Sequence, residues 1–185
     1  MKKEAILQST LKLISKRGVH NTPMSKIASE ADVAVGTIYH HFDSKEEILN
    51  ELYLDIKKEF GACIDSALAE TQSAEEVFSE VFQAIYFYYT ENPLKYSFTE
   101  QVAFTPIITE KAKNEGRQYY QSMFSFFGKK ISDGTLRDIP PELMGQLCYG
   151  NIKTVIQMKL SDHQSVTDSI LQEAINTSWI SIVNT

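Results

Sequence analysis

The sequence has little of what marks secreted, membrane-spanning or disordered chains. Its 185 residues include only 2 cysteines, 5 prolines and 8 glycines, and no apolar run approaches the roughly 18 residues that a membrane span requires. Cys63 and Cys148 lie far apart without a neighbouring His or Cys cluster, so neither a disulfide framework nor a zinc site is expected. Charges interrupt the first 17 residues, which argues against a signal peptide. We expect a cytoplasmic protein without membrane contact, cofactor or metal.

The composition is that of a folded protein whose charge is unevenly divided. With 43% hydrophobic and 23% charged residues, the chain suits one domain, or one domain with a small module attached. The net charge of −6 combines +3 over residues 1–45 with −9 over residues 46–185. A polyanion is therefore expected to bind the amino-terminal part.

Apolar residues recur with helical spacing along the whole chain. Leu7, Leu11 and Ile14 follow an i, i+4, i+7 pattern, and Gly18 is expected to end this first helix. The segment Ile85–Tyr89 resembles a strand locally but has no clear partner, so we interpret it as helix. Further helix starts are predicted at Thr22 with Pro23, Ser44 with Glu47 in a capping box, Ser73 with Glu76, Asn92 with Pro93 and Thr105 with Pro106, followed by a loop over 128–141 and final helices over 142–160 and 166–182. The sequence predicts an all-α fold of about nine helices.

Two of the predicted helices are short and are joined by a tight turn. They span about 24–31 and 36–42, which is typical of a helix-turn-helix, whose second helix enters the major groove of DNA. On a helical wheel, Ile38 and Phe42 point inward. The opposite arc carries Gly36, Thr37, Tyr39 and His40.

The outward residues of this second helix suit a DNA groove. Gly36 lets the backbone approach closely, and Thr37 and Tyr39 offer hydroxyls to phosphates. His40 can hydrogen-bond a base edge. Residues of these types are usually only solvated surface when taken singly, but their joint register favours DNA contact.

Two residues outside the recognition helix join this candidate site. Thr22 begins one helix and Lys45 lies in the first turn of another, where exposed amides and the helix dipole favour phosphate. The adjacent His40 and His41 point in different directions on a helix and lack a completing carboxylate or Cys, so no metal site is expected.

The stretch from Thr22 to Lys45 resembles the signature of the tetracycline-repressor (TetR/AcrR) family of bacterial regulators. The resemblance covers about the first 55 residues, and the positions in register are Ile27, Ala28, Ala31, Val33, Gly36, Thr37, Tyr39, Phe42 and Lys45. It implies an all-helical dimer with an amino-terminal three-helix domain that binds operator DNA and a carboxy-terminal domain that binds a small ligand. The DNA-contact residues implied by position are Thr22, Val35, Gly36, Thr37, Tyr39, His40 and Lys45.

Three residues depart from the family pattern. Asp32 stands where glycine is usual in the turn, and Asp tolerates left-handed dihedrals, so the turn is expected to survive. Ala34 replaces the usual serine, which removes a helix cap and a phosphate contact. Val35, at a position that is often polar, either contacts a thymine methyl group or packs inward.

Aromatic residues are concentrated in the middle of the chain. Fourteen of the 20 lie between Phe78 and Phe127, and most are explained as core. The four consecutive aromatics Tyr86–Tyr89 cover every side of a helix, so some must face a cavity, another helix or a partner subunit. The pocket candidates for a small apolar or aromatic effector are Tyr86, Tyr89, Phe98, Phe104, Tyr119 and Phe124.

The last two helices carry apolar residues on more than one side. The family resemblance implies that they form a four-helix interface with a two-fold mate, and the alternative is that one helix is buried within its own monomer. The candidate interface residues are Leu147, Gly150, Ile156, Ile170, Ala174 and Trp179.

These observations predict a regulator with a helix-turn-helix DNA-binding domain over 1–46 and a helical effector-binding and dimerisation domain over 47–185. We expect a homodimeric repressor that binds a palindromic, double-stranded operator and is released by the effector. The alternatives are control by a protein partner or by nothing, and activation instead of repression. An enzyme is not expected, because the sequence has no catalytic triad, phosphate loop or paired carboxylates in apolar surroundings.

Overall fold

The computed structural model describes residues 2–68, 73–103, 105–161 and 165–184. These residues form ten α-helices, so the all-α prediction is confirmed. Their bounds are α1 Lys2–Arg17, α2 Met24–Glu30, α3 Val35–His41, α4 Lys45–Ala67, α5 Ala74–Glu91, α6 Pro93–Val102, α7 Glu110–Gln118, α8 Gln121–Ser132, α9 Pro141–Leu160 and α10 Asp168–Ile182. Within the described ranges, none of the helices is long and apolar enough to cross a bilayer.

Local signals fix several helix ends as predicted. Gly18 follows α1 with φ of +79°, the left-handed conformation that glycine adopts without strain. At the start of α5, Glu76 accepts a hydrogen bond from the Ser73 amide at 2.9 Å and its own amide donates to Ser73 Oγ at 3.3 Å. The helix start predicted at Ser73 with Glu76 is confirmed, and this reciprocal pair makes it a capping box.

The capping box at the start of α4 differs by one residue from the prediction. The Glu47 amide donates to Ser44 Oγ at 3.1 Å. The Glu47 carboxylate, however, accepts from the amide of Asp43 at 2.5 Å, so the return bond reaches one residue beyond the cap.

Three boundary predictions are wrong. Pro23, with ψ of 159°, is the N-cap of α2, while the Thr22 hydroxyl donates to the carbonyl of Gly18 at 2.9 Å. Helix α7 begins at Glu110 and not near Thr105, and α8 continues to Ser132 instead of ending near residue 128. Glycine and proline mark places where a helix can stop, but packing decides whether it does.

The first of two compact units contains the chain up to Lys58 together with Asn92–Arg117. It includes the whole 1–46 segment and adds the first part of α4 and helices α6 and α7. Its hydrophobic core joins all of these elements. Fully or almost fully buried side chains in this core include Ile6, Ile14, Ile27, Ile38, Phe42, Leu49, Phe98, Val102 and Ile108.

The second unit contains Glu59–Glu91 and Gln118–Thr185. In it, α9 packs against α5, α8 and α10. Phe78 of α5 and Trp179 of α10 place their ring centroids 5.5 Å apart. The loop after α8 is joined to the end of α10, because the Arg137 amide donates to the Ile182 carbonyl at 2.9 Å.

Candidate DNA-binding site and effector cavity

The turn between α2 and α3 is built around a left-handed aspartate. Asp32 has φ of 52° and is the only non-glycine residue with positive φ among those described. The Val33 amide then donates to the Ala28 carbonyl at 3.0 Å. The turn therefore survives the loss of glycine, as predicted.

Helix α3 is anchored by one face and exposed on the other. Ile38 and Phe42, the residue after the helix, are 0% and 1% exposed, whereas Tyr39 is 54% and Val35 39% exposed. Gly36 and His40 are exposed as well, and Thr37 is partly exposed. The exposed face presents an aromatic hydroxyl, an imidazole and an isopropyl group, which suits phosphate, a base edge and a thymine methyl group.

The N-cap of α3 is Ala34, whose backbone is extended with ψ of 147° and whose side chain makes no cap hydrogen bond. This confirms that the departure from serine removes a cap. The Thr37 amide donates back to the Ala34 carbonyl at 2.9 Å, but a methyl group cannot accept from the remaining amides of the first turn.

The two residues predicted at helix starts have internal partners. Thr22 is 0% exposed, so its side chain offers no surface to DNA, which corrects its assignment as a side chain that contacts phosphate. Lys45 is partly exposed, and its Nζ donates to the carbonyls of Val19 at 3.0 Å and Thr22 at 3.4 Å. In this structure the Lys45 ammonium holds the loop between α1 and α2.

Ion pairs on the surface join α1 to α2 and to α4. Helices α2 and α3 are called the reading helices below. Lys12 binds the carboxylate of Glu30 at the end of α2, and this hydrogen bond lowers the pKa of Glu30. Lys3 lies 2.7 Å from Glu51 and 5.3 Å from the centroid of the Phe42 ring. The Glu51 hydrogen bond raises the pKa of Lys3. These contacts help to orient α2 and α3.

The two compact units also differ in net charge. Counted over the sequence, the first unit holds 13 basic and 11 acidic residues, and the second holds 5 basic and 13 acidic residues. The first unit is therefore +2 and the second −8. The unit that carries α3 is therefore the one whose net charge is the more favourable to a polyanion such as DNA.

The second unit encloses a small apolar cavity of about 40 Å³ between α4, α5, α8 and α9. It is lined by Phe60, Leu68, Phe78, Val81, Phe82, Ile85, Met123, Phe126, Phe127, Gly145, Cys148, Tyr149 and Ile152. The volume is far below the several hundred Å³ of a typical ligand site. A ligand would therefore have to widen it.

Of the six sequence-predicted pocket residues, the five that the structure describes do not line this cavity. Phe98 lies in the core of the first unit, and Phe104 lies outside the described residues. Tyr86 and Tyr89 are buried in α5, and Phe124 is buried in α8. The Tyr119 carbonyl approaches the backbone at Gly61. The prediction that Tyr86–Tyr89 face different ways is confirmed, since Phe87 is 47% exposed while Tyr89 is fully buried.

Sequence reasoning missed the residues that α9 contributes to the cavity. Gly145, Cys148 and Ile152 recur at i, i+3 and i+7, a spacing that was available in the sequence. Burial raises the pKa of the Cys148 thiol to about 12, which reflects the apolar surroundings. Among the described residues, no group of three or more His, Cys, Asp or Glu could hold a metal ion.

The interface candidates divide into exposed and buried residues. Leu147 is 52% exposed, Ile170 38% exposed, and Gly150 has open space where a side chain would extend. Ala174 is partly exposed. Ile156 and Trp179 are 0% and 8% exposed inside their own unit, which corrects their assignment to a partner surface.

The sequence matches two family models that together cover most of the chain. Residues 6–52 match bacterial regulatory proteins of the tetR family, and residues 53–184 match the tetracyclin repressor-like carboxy-terminal domain. The chain therefore belongs to the TetR family. It is a DNA-binding transcriptional regulator, and the family is not one of enzymes.

Individual relatives agree with this assignment. An uncharacterized HTH-type transcriptional regulator of Haemophilus influenzae is 27% identical over 183 residues, covering 97% of this chain and 94% of that protein. The fatty acid metabolism regulator protein of Bacillus subtilis is 35% identical over 71 residues, 38% of this chain and 37% of its own. The crystal structure of a TetR family transcription regulator from Marinobacter aquaeolei VT8 has the same fold, with a TM-score of 0.91 at 17% identity, covering 100% of this chain and 96% of that one.

Proposed function

We propose that this regulator is a homodimeric repressor that binds a palindromic operator and is released by a small apolar effector. The observation that carries the proposal is helix α3, fixed by the buried Ile38 and presenting exposed Val35, Tyr39 and His40. Two such helices related by a two-fold axis would read successive major grooves about one helical turn apart, or a small multiple of it.

The proposed dimer surface is the exposed face of α9 and α10. Leu143, Leu147 and Gly150 follow one another at i, i+4 and i+7 along α9, and both leucines are about half exposed. Ile170 and Ile180 are exposed on α10, the latter at 63%. Apolar side chains grouped on two adjacent helices are typical of a surface that a partner covers.

The proposed effector site is the cavity between α4, α5, α8 and α9. Its lining is almost wholly apolar, so it favours a ligand portion without charge. Because about 40 Å³ is too small for such a ligand, binding selects a widened form of this unit. Release from DNA follows if that widened form binds the operator less well, since only differential affinity can drive a switch. The name of the Bacillus subtilis relative supports fatty acids as the first ligands to test.

The DNA part of the proposal is tested by selection from random duplex DNA with the purified protein. We expect an inverted repeat, whose binding Tyr39→Ala and His40→Ala each weaken by about tenfold or more. Tyr39→Phe removes only the hydroxyl and should lose less. Lys129→Ala, an exposed lysine of α8 in the acidic unit, is the matched control for loss of a surface side chain. Enrichment of a single unrepeated site would contradict the dimer.

The effector part is tested with saturated fatty acids of graded chain length, using thermal stability and release of the selected duplex. Ile152→Phe fills the cavity and should abolish both responses, whereas Leu94→Phe, at an exposed position of the first unit, should preserve them. A ligand that acts equally on Ile152→Phe would place its site elsewhere.

A further inference from the structure

Helices α6 and α7 pack into the first unit, which also contains α3 and is called the DNA-binding unit below. Phe98 and Val102 of α6 are fully buried in the same core as Ile38 of the recognition helix. Ser15 of α1 donates a hydrogen bond from Oγ to the carbonyl of Leu94 at 2.7 Å. The segment Asn92–Arg117 is therefore built into this unit, although it is far from α1–α3 in sequence.

One side chain of α4 joins it to the turn before α7. Asn50 Nδ2 donates to the carbonyl of Ile107 at 3.1 Å, and Asn50 Oδ1 accepts from the amide and the hydroxyl of Thr109 at 2.9 and 3.0 Å. Asn50 Nδ2 also donates to the carbonyl of Glu46, one turn back in α4. Both donors and both acceptor positions of the amide are used, so its orientation is fixed.

The start of α7 is then capped and held against α4. The Thr109 hydroxyl accepts from the Ala112 amide at 3.2 Å. Further along α7, a Cβ on Gly116 would lie 2.9 Å from Tyr53 Cε1 and 3.2 Å from Lys57 Cγ, a close approach of two helices that a larger residue would prevent. Polar and apolar contacts together hold α7 on α4.

We propose that Asn50 is a positioning residue for DNA binding, which clamps the 107–109 turn to α4 and so makes α7 move with α4 and the reading helices. The chain passes between the two units at Lys58/Glu59, Glu91/Asn92 and Arg117/Gln118. With the clamp closed, three covalent connections constrain the DNA-binding unit. With it open, α6 stays packed in the core through Phe98 and Val102, but the 107–109 turn and the start of α7 lose their polar attachment to α4.

This inference deepens the proposed function, because in a dimer the constraint sets which half-site spacing is bound. Through the hydrogen bonds of Asn50, a conformational change at either end of Asn92–Arg117 would also affect α4 and the reading helices. Asn50 itself is outside the set of DNA-contact candidates, so its effect on DNA would be indirect.

The test uses the full-length protein, the selected duplex and two versions with one and two base pairs inserted at its centre. Asn50→Ala should reduce the preference for the selected spacing by about threefold to tenfold. Thr109→Val removes the hydroxyl that donates to Asn50 and accepts from the Ala112 amide. Because the Ile107 carbonyl and the Thr109 amide still bind Asn50, its effect on spacing preference should be smaller. The double variant should lose no more than Asn50→Ala, because both changes act on the same contact.

Two further variants separate positioning from loss of stability. Asn50→Asp keeps the acceptor for Thr109 and should be intermediate between wild type and Asn50→Ala. Asn114→Ala, at an exposed position of α7, should behave as wild type. A variant that unfolds more readily but retains the wild-type spacing preference would overturn the proposal.

Amide hydrogen exchange on the DNA-free protein tests the clamp independently of the dimer. Asn50→Ala, or the milder Asn50→Asp if the first does not fold, should accelerate exchange in α2 and α3 as well as in α7. Acceleration confined to residues 107–118 would refute the clamp. If the wild-type protein has no spacing preference, the palindromic dimer fails and the exchange result still decides the role of Asn50.

Discussion

The missing cap of the recognition helix offers the sharpest test of the DNA-binding site. Ala34 already has the extended backbone of an N-cap, so serine can replace it without a change of conformation. The new Oγ would accept from the amide of Gly36 or Thr37, in a helix of only seven residues, Val35–His41. N-cap serine in place of alanine typically stabilises a helix by about 1 kcal/mol.

Ala34→Ser should therefore slow amide exchange in α3 by about fivefold, the factor that corresponds to about 1 kcal/mol of local opening. Exchange is followed by mass spectrometry on the DNA-free protein. The variant should also bind the selected duplex more tightly, through the more ordered helix and through a hydroxyl placed for a phosphate.

Ala34→Gly separates these two contributions. Glycine is nearly as good an N-cap as serine but has no hydroxyl. Equal gains in DNA affinity for both variants indicate capping alone, and a gain for serine only indicates a phosphate contact. Unchanged or faster exchange in α3 of Ala34→Ser would refute the reasoning, because it would mean that the first turn of α3 does not need a cap.

Three other positions give predictions from packing and burial. Gly61→Ala should lower the free energy of unfolding by about 3 kcal/mol or more in urea titrations, because its Cβ would lie 2.0 Å from the carbonyl oxygen of Tyr119. Burial lowers the pKa of Lys57 to about 8 from 10.5. Lys57→Met should therefore raise the free energy of unfolding at pH 7, with an upper limit of about 3 kcal/mol. The gain should be below this limit, because the Lys57 side chain is only partly buried. Lys57 is charged in both states at pH 7 but only in the unfolded state between pH 8 and 10.5, so the gain should shrink as pH rises through that window. Burial raises the pKa of the Cys148 thiol to about 12, so its alkylation, measured by mass spectrometry, should accelerate about tenfold per pH unit from pH 8 to 10.

Each of these predictions has a matched comparison in the chain. A Cβ at Gly128 meets nothing within 4 Å, so Gly128→Ala in α8 should stabilise by up to about 1 kcal/mol. Lys58→Met, at an exposed neighbour, should lack the pH-dependent gain. Cys63 is less buried and burial raises its pKa only to about 11, so it should react faster than Cys148 at each pH. Three outcomes would contradict the packing described above. They are an equal loss of stability in Gly61→Ala and Gly128→Ala, a stability gain of Lys57→Met that does not change with pH, and alkylation of Cys148 that is faster than that of Cys63.

The local features of this protein follow from its sequence by itself. The end of the first helix at Gly18, the helix start at Ser73 with Glu76 and the inward placement of Ile38 and Phe42 were all predicted, because hydrogen bonds and apolar spacing within one or two helical turns decide them. The motif from Thr22 to Lys45 is also local in sequence, so it was sufficient to indicate a helix-turn-helix DNA-binding domain and its family.

Only the tertiary structure shows which apolar helix faces pack against each other. Phe98 and Trp179 are as apolar as a ligand pocket or an interface requires, yet both are buried in the core of their own unit. The cavity beside Cys148 and the hydrogen bonds between Asn50 and Thr109 join residues that are dozens of positions apart. Helical spacing shows that a face is apolar but does not specify its partner, because that choice depends on the simultaneous packing of distant helices.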